Sequence, residues 1–372
     1  MLVETAPPKW PSGFAEDRAN RRALLVLVSL RGLEPRKLLR LAAVEGTASA
    51  CLAAVREGRA GSPADRGFAG RLDPAAIEAR VASCGARLVV AGSGEYPPQL
   101  NDIDDPPAAL FVRGRPPPAR FGTVAVVGAR RCSDLGREVA REIGRDLAAL
   151  GLCIVSGAAR GIDSAAHEGA LAAGGHTVAI LGCGIDTAHP PGSRSIIERV
   201  AADGTLASEY PPGVPAEPFR FPARNRVVAA LSTALVVVEG AERSGSLISA
   251  RHALSIGRDV FAVPGAITNP LSHVPHTLIR EGATLIRGVD DLLADLDMMG
   301  EAGREVVPVD LTLAERAALD QITLPVLPER VARELGLSLA DVVALLMTLE
   351  MKGLVRCVGG RYERRLGASA AT

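Results

Sequence analysis

Residues 124–163 read VAVVGARRCSDLGREVAREIGRDLAALGLCIVSGAARGID, and their rhythm decides the fold. A short apolar run, 124–127, ends in Gly128 and a polar turn. Residues 135–150 then place Val139, Ile143 and Leu147 at helical spacing, and 153–156 return to a short apolar run that also ends in glycine. Runs that are continuously apolar rather than alternating read as strands buried on both faces. Strand, helix and strand in this order read as a parallel unit of a layered α/β sheet.

The same alternation continues outward. Apolar runs at 177–181, 205–208, 235–239, 260–263 and 284–286 alternate with helical patterns at 164–173, 193–202 and 247–256. The expected fold is a doubly wound, mostly parallel sheet. Upstream, 23–57 and 74–83 carry helical periodicity, which predicts a small module of three to five helices. A short strand at 87–91 and a proline-rich crossing follow, with Tyr96-Pro97-Pro98, Pro106-Pro107 and Pro116-Pro117-Pro118. Downstream of a linker, 313–320, 331–335 and 339–352 read as helices and 353–363 as a hairpin around Gly359-Gly360. Three helices and a hairpin make a winged helix-turn-helix pattern. The segments are therefore a loose tail at 1–20, a helical module at 21–86, the sheet domain at 87–298, a linker at 299–309, the winged-helix module at 310–365 and a frayed end at 366–372.

Composition narrows the function classes. The 372 residues suffice for two or three domains. Basic and acidic residues balance at 42 each, which argues against coating nucleic acid or membrane by bulk charge. Only Lys9, Lys37 and Lys352 are lysines; the other cations are arginines, whose planar forks suit phosphate. With 7 Phe, 3 Tyr and 1 Trp, a long row of base-stacking aromatics is disfavoured. The six cysteines form no CxxC pair, and the chain carries no signal-peptide pattern at its start and no apolar run of about 20 residues. The expectation is a soluble, cytoplasmic protein with reduced thiols and no membrane partner.

Ligands of open α/β sheets bind at the carboxyl ends of the strands, and there the glycines gather. The strand at 124–127 ends in Gly128-Ala129-Arg130-Arg131, the next in Ser156-Gly157-Ala158-Ala159-Arg160-Gly161, a third in Gly182-Cys183-Gly184, and 235–238 in Glu239-Gly240 before Arg243-Ser244-Gly245-Ser246. Two readings stand side by side: turn chemistry at strand–helix corners, or one phosphate site built from close backbone approach and arginine forks. The loops match neither GxGxxG nor GxxxxGK[ST], so NAD and ATP lack their usual signal, and no cofactor is expected.

The segment Phe219-Arg220-Phe221-Pro222-Ala223-Arg224-Asn225-Arg226 follows the loop signal Tyr210-Pro211-Pro212-Gly213. It reads either as a solvated basic loop or as a nucleic-acid contact, with Arg and Asn on phosphates or base edges and one Phe stacking a base. Asp163 reads as a helix N-cap in preference to an acid–base residue, and His167 as packed beneath the loops. His273 and His276 lack a third ligand, so no metal site is expected. Ser244 and Ser246 read as capping and anion-contacting hydroxyls, without the GxSxG elbow of a nucleophile. No catalytic constellation emerges.

In their order, these segments resemble the DNA-processing protein A family (DprA, also called Smf). The resemblance rests on Tyr96-Pro97 through Leu110-Phe111-Val112-Arg113-Gly114, then 124–130, 156–171, 181–186, Ser208-Glu209-Tyr210-Pro211, 221–226 with Leu231-Ser232, 238–250 and 257–265. It implies a Rossmann-like domain flanked by a SAM/HhH-like helical module and a C-terminal winged helix. It also implies a cytosolic, homodimeric, non-enzymatic protein that binds single-stranded DNA in a basic pocket, protects incoming strands in natural transformation and helps load the RecA recombinase. The family's glycine–small–arginine element falls on Gly128, Ala129 and Arg130. Its phosphate loop falls on Ser156, Gly157, Arg160 and Gly161, and its Phe-Pro and Arg-Asn-Arg elements on Phe221 and on Arg224, Asn225 and Arg226. Two places depart from the pattern. His189-Pro190 stands where the family has Tyr-Pro, and 274–279 replaces its Gly-x-Asn-x-Leu-Ile element.

Two further readings compete. One is a nucleotide phosphoribohydrolase of the lysine-decarboxylase-like Rossmann group, but Pro264-Gly265-Ala266 lacks that group's Gly-Thr and glutamate. The other makes the C-terminal module a sequence-specific repressor headpiece, against which stands a candidate recognition helix, 339–352, that is mostly apolar with Asp341 and Glu350.

Overall fold

The computed structural model describes residues 9–116, 122–296, 311–322, 324–352 and 354–364. The first eight residues of the expected tail, the linker at 299–309 and the frayed end at 366–372 lie outside the described residues. The chain divides into two compact units, Met1–Ile286 and Arg287–Thr372.

The first unit begins with five helices, α1 (Arg18–Leu27), α2 (Pro35–Glu45), α3 (Ala48–Glu57), α4 (Pro63–Arg71) and α5 (Pro74–Ser83). Side chains cap α1, α3, α4 and α5 at Asp17, Thr47, Ser62 and Asp73, and Ser62 with Asp65 completes a capping box. There follow β1 (Ala86–Val90), β2 (Ala109–Gly114), β3 (Thr123–Val127), α6 (Asp134–Ala149), β4 (Cys153–Ser156), α7 (Ile162–Ala172), β5 (Thr177–Leu181), α8 (Arg194–Asp203) and β6 (Thr205–Ser208). The unit closes with α9 (Arg220–Ala230), β7 (Ala234–Val237), α10 (Gly245–Ser255), β8 (Asp259–Ala262), α11 (His273–Arg280) and β9 (Thr284–Leu285).

Among the described residues these strands form one sheet of nine, in the order β1-β2-β6-β5-β4-β3-β7-β8-β9. From β6 to β9 every pairing is parallel; β1 and β2 add an antiparallel edge. The expected mostly parallel, doubly wound sheet is what the chain forms. Period-two alternation shows both faces covered: Val178 and Ile180 of β5 pack in one cluster with Val227 and Val228 of α9. Ala179 and Leu181 pack on the other side with Ile196, Ile197 and Val200 of α8. The N-terminal helices share these clusters. Trp10, Phe14, Leu24 and Leu39 belong to the same cluster as Val89, Leu110 and Ala125, and the Trp10 indole N–H donates to Pro106 O at 3.2 Å.

Several elements differ from the sequence reading, among them the helices α4 and α11, the strand β2 and the helix α9. Residues 109–114, expected within a proline-rich crossing, form β2. The segment 219–226, which reads as a solvated basic loop or a nucleic-acid contact, belongs from Arg220 on to α9, because the helix buries Val227, Val228, Ala229 and Ala230 against the sheet.

The second unit carries α12 (Val289–Asp295), α13 (Leu313–Asp320), α14 (Pro328–Leu335), α15 (Leu339–Met351) and the hairpin of β10 (Val355–Val358) and β11 (Arg361–Arg364). Leu319, Val331, Val342, Leu346, Leu349 and Tyr362 form its core. This is the expected winged-helix architecture. Its candidate recognition helix, α15, exposes Leu339, Met347 and Met351 rather than cations. No single helix among the described residues is long and apolar enough to cross a membrane.

The α6–α7 crossing is set by glycine. A Cβ on Gly169 would collide with the Arg141 carbonyl oxygen, and one on Gly144 with that of Ala166. In an exposed helix, alanine is favoured over glycine by about 1 kcal/mol. Overpacking against backbone costs about 1–3 kcal/mol and outweighs it here. Gly169→Ala should therefore lower the urea unfolding midpoint; an unchanged or higher midpoint would contradict this crossing.

Candidate functional site

β3 lies at the topological switch: β4, β5 and β6 succeed it on one side and β7, β8 and β9 on the other. Loops leaving the carboxyl ends of its two flanks diverge and open a crevice, the usual ligand position in such sheets. A cavity of about 760 Å³ occupies it. Its walls are Gly128, Ala129 and Arg130 after β3, Gly157 and Ala159 after β4, Ser244, Gly245 and Ser246 after β7, and Phe221, Arg224 and Asn225 from α9. A neighbouring cavity of about 450 Å³ shares Arg130, Gly157, Phe221 and Arg224 with it and adds Arg160, Pro190 and Gly192.

Local geometry explains the residue types. Gly161 holds φ +84°, and a Cβ there would collide with the Ala129 carbonyl oxygen, so the loops after β3 and β4 can lie this close only with glycine at 161. A Cβ on Gly157 would fall 2.5 Å from an Arg224 guanidinium nitrogen. Glu239, just past β7, accepts from the Ser133 N–H at 2.9 Å and the Ser133 hydroxyl at 2.6 Å, tying the end of β7 to the start of α6. Ser244 caps α10, accepting from Ser246 N at 3.3 Å, and its hydroxyl lies 2.8 Å from that of Ser246. Asn225 donates to Gly245 O at 3.2 Å, joining α9 to α10.

The arginines divide into two kinds. Arg130 and Arg160 are exposed and have no carboxylate partner among the described residues. The Arg130 guanidinium lies 5.1 Å from the Phe221 ring centroid, and the His189 ring stacks on Phe221 at 5.5 Å. Arg224 is 3% exposed and donates to the carbonyls of Gly157 and Ile180, so its fork holds the floor of the crevice. Burial pulls its guanidinium below the ordinary range, with Asp163 opposing. Asp163 is itself pushed up by burial, while Arg224 pulls it the other way.

Several expectations change. Arg226 does not reach the crevice. It is buried against Glu209 at 2.5 and 2.6 Å and Asp105 at 2.9 Å, and those carboxylates hold it charged against burial. Ser156 is fully buried and donates to Val126 O at 2.7 Å, so its side chain is a brace between strands and not a ligand contact. Gly161, not Asp163, is the N-cap of α7; Asp163 lies inside the first turn and accepts from Ala159 N at 3.3 Å. The wall also includes residues that the sequence did not mark as ligand contacts, among them His189, visible there only as a departure from the family motif, and Asp163, which reads there as a cap. His167 is buried as expected, its Nδ1 2.6 Å from the Thr177 hydroxyl; His276 Nε2 lies 3.0 Å from Gly265 O.

Fold and crevice define a Rossmann-like α/β protein with a winged-helix module. The chain belongs to the DNA recombination-mediator protein A family, whose model matches residues 87–297, and a DprA winged helix domain model matches 307–361. It is 38% identical over 306 residues to protein Smf of Escherichia coli K12, covering 74% of this chain and 77% of that protein. The crystal structure of DNA processing protein A from Streptococcus pneumoniae superposes with a TM-score of 0.66 at 33% identity, covering 74% of this chain and 97% of that one. DNA processing protein A from Helicobacter pylori, whose structure is described for its single-stranded DNA binding mode, superposes with a TM-score of 0.51 at 27% identity, covering 57% of this chain and 97% of that one.

Two measurements test the buried charges. Arg226→Ala leaves Glu209 and Asp105 without their cation, and breaking a buried pair costs about 3–5 kcal/mol. Its denaturation midpoint should fall sharply, and a midpoint like that of the parent would refute the clamp. Burial and the nearby Arg224 push His167 from 6.5 down to about 3. Below pH 6.5 the unfolded chain binds a proton on this ring that the folded chain refuses, so stability is full above 6.5 and lost as pH falls towards 3. The slope from one such ring is up to about 1.4 kcal/mol per pH unit. His176 and His252, also lowered by burial, act in the same direction, so His167→Asn should flatten the midpoint-versus-pH curve without levelling it.

Proposed function

We propose that the chain is a non-enzymatic, cytoplasmic protein that binds single-stranded DNA in the crevice at β3. In this reading it protects incoming strands in natural transformation, acts as a homodimer and helps load the RecA recombinase. The observation that carries it is the pair of exposed arginines, Arg130 and Arg160, which form no ion pair among the described residues and stand at the strand-end glycine loops of a chain that belongs to a recombination-mediator family. The single-stranded DNA binding mode described for the Helicobacter pylori relative supports it.

The mechanism follows from the contacts. Arg130 leaves the Phe221 ring for a phosphate, exchanging a cation–π contact of about 0.5–2 kcal/mol for a charge-assisted pair. The vacated ring face then takes a base, worth about 1–3 kcal/mol. Arg160 holds a further phosphate, and the Ser244 and Ser246 hydroxyls with the backbone of Gly128, Ala129, Gly157, Gly161 and Gly245 line the path. Arg224 acts from beneath: its Nη1 donates to the carbonyls of Gly157 and Ile180 and its Nε to the Asn225 side chain, so it contributes positive potential and loop shape. Asn225 keeps α10 in register with α9. Arg226 and Ser156 support the site without touching the strand. Contacts of this kind read backbone and base faces, so binding tolerates sequence.

Oligothymidylate binding titrated against salt tests the reading. Each lost phosphate contact on a single strand makes the slope of log affinity against log salt shallower by about 0.7. Arg130→Ala should show that change, and Phe221→Ala should weaken binding by about 1–3 kcal/mol with the slope kept. Unchanged affinity and slope in Arg130→Ala would remove the crevice as the DNA site. Base release from nucleoside monophosphates without oligonucleotide binding would favour a phosphoribohydrolase instead.

A further inference from the structure

A second groove, of about 380 Å³, adjoins the crevice and shares Arg130 and Arg160 with it. Its remaining walls come from Arg131, from Arg137 in the first turn of α6, from Gly161 and Ser164 at the start of α7, and from Arg199 of α8. Arg131, Arg137, Arg160 and Arg199 are all exposed, and none has a carboxylate partner among the described residues. The carboxylate in the lining, Glu168, is taken by Arg141 at 2.7 Å. Six guanidiniums elsewhere, Arg22, Arg59, Arg87, Arg226, Arg258 and Arg287, sit in ion pairs; what sets this groove apart is that five arginines without one line a single concave surface. Uncompensated arginines converging on one concave surface repel one another and raise a focused positive potential. That arrangement is stabilised by an anion of several charges.

We propose that a single strand held in the crevice continues past Arg130 and Arg160 into this groove, where Arg131, Arg137 and Arg199 take its next phosphates. The proposal rests on the function given above and lengthens its binding path. Two observations favour a continuous polynucleotide over a free nucleotide or an acidic peptide. The shared arginines make one path of the two cavities. The groove lining also contains no aromatic side chain to hold a base; it consists of guanidiniums, the hydroxyls of Ser164 and Ser195, glycine backbone, Ile196 and the Arg141-paired Glu168. Such a wall grips the backbone and leaves bases facing outward.

The test compares the full chain with the double variant Arg137→Ala/Arg199→Ala on oligothymidylates spanning the ~4–16 nucleotides of typical single-strand sites. The unaltered chain should gain affinity with length beyond what the crevice accommodates. The double variant should bind short oligonucleotides as the parent does, which also shows that it is folded, and should lose the gain on long ones. On long oligonucleotides its salt slope should be shallower by about 1.4, two contacts' worth. Arg137→Lys/Arg199→Lys should restore the slope, because charge and not the fork is what counterion release reports. Equal length dependence in parent and double variant overturns the groove while leaving the crevice standing. So does a loss on short and long oligonucleotides alike, or no restoration by lysine. An unaltered chain that binds no single strand of any length overturns both.

Discussion

A guanidinium taken out of water keeps its proton, so its charge has to be met inside the protein by carboxylates, carbonyls or ring faces. Helix α9 buries three such groups, and the site depends on how they are met. Arg220 is 5% exposed, donates to Pro215 O at 2.7 Å and lies over the Tyr210 ring. Arg224 reaches the carbonyls at the ends of β4 and β5. Arg226, two residues on and hence on another side of the helix, reaches Glu209 and Asp105. Between them they fix α9 in rotation and along its axis. Phe221 and Asn225, which α9 presents to the crevice beside Arg224, inherit that precision. A helix with a ring of aliphatic side chains at those positions could slide; one held by directional bonds cannot without leaving charge unpaired.

The same logic sorts the arginines by duty. Those that meet carboxylates or carbonyls are structure. Arg130, Arg131, Arg160, Arg137 and Arg199, around the crevice and its neighbouring groove, meet neither among the described residues; the first three stand on the loops after β3 and β4, the last two on α6 and α8. The zero net charge of the whole chain thus coexists with a local excess, because the acids are consumed elsewhere. Glu239 is the instructive acid. It follows β7, two residues before the wall residue Ala241, yet is buried, and its carboxylate is occupied by Ser133 at the N-terminus of α6.

Much of this was legible in the sequence. Continuous apolar runs ending in glycine gave away the parallel strands, and the rule that open α/β sheets bind ligands at the carboxyl ends of their strands pointed to the glycine loops, while the switch at β3 needed the strand order. The antiparallel edge was not legible at β2, because prolines on both sides of 109–114 speak for a crossing while only pairing with β1 and β6 reveals a strand. Nor was α9: Pro222 near its start and three arginines read as a loop, and burial of those arginines depends on partners, Glu209, Asp105, Gly157 and Ile180, that are remote or backbone. For the same reason the spacing of Arg224 and Arg226 could not say that one faces the crevice and the other does not. Ser156 failed likewise, since a hydroxyl at a strand end looks the same whether it points to ligand or to the neighbouring strand. His189 acquires meaning only beside Phe221, to which no periodicity links it.

The near-absence of lysine has a practical corollary. Lys9 and Lys37 belong to the N-terminal helical segment and Lys352 to the winged-helix unit, so the 314 positions between the last two hold no side-chain amine. Reagents that acylate or cross-link amines therefore have no target anywhere on the strand-end loops. A chain tethered or dye-labelled through its amines keeps every guanidinium of the crevice chemically untouched, whereas arginine-directed dicarbonyls would modify the rim, where the forks are exposed, before the buried clamp of α9.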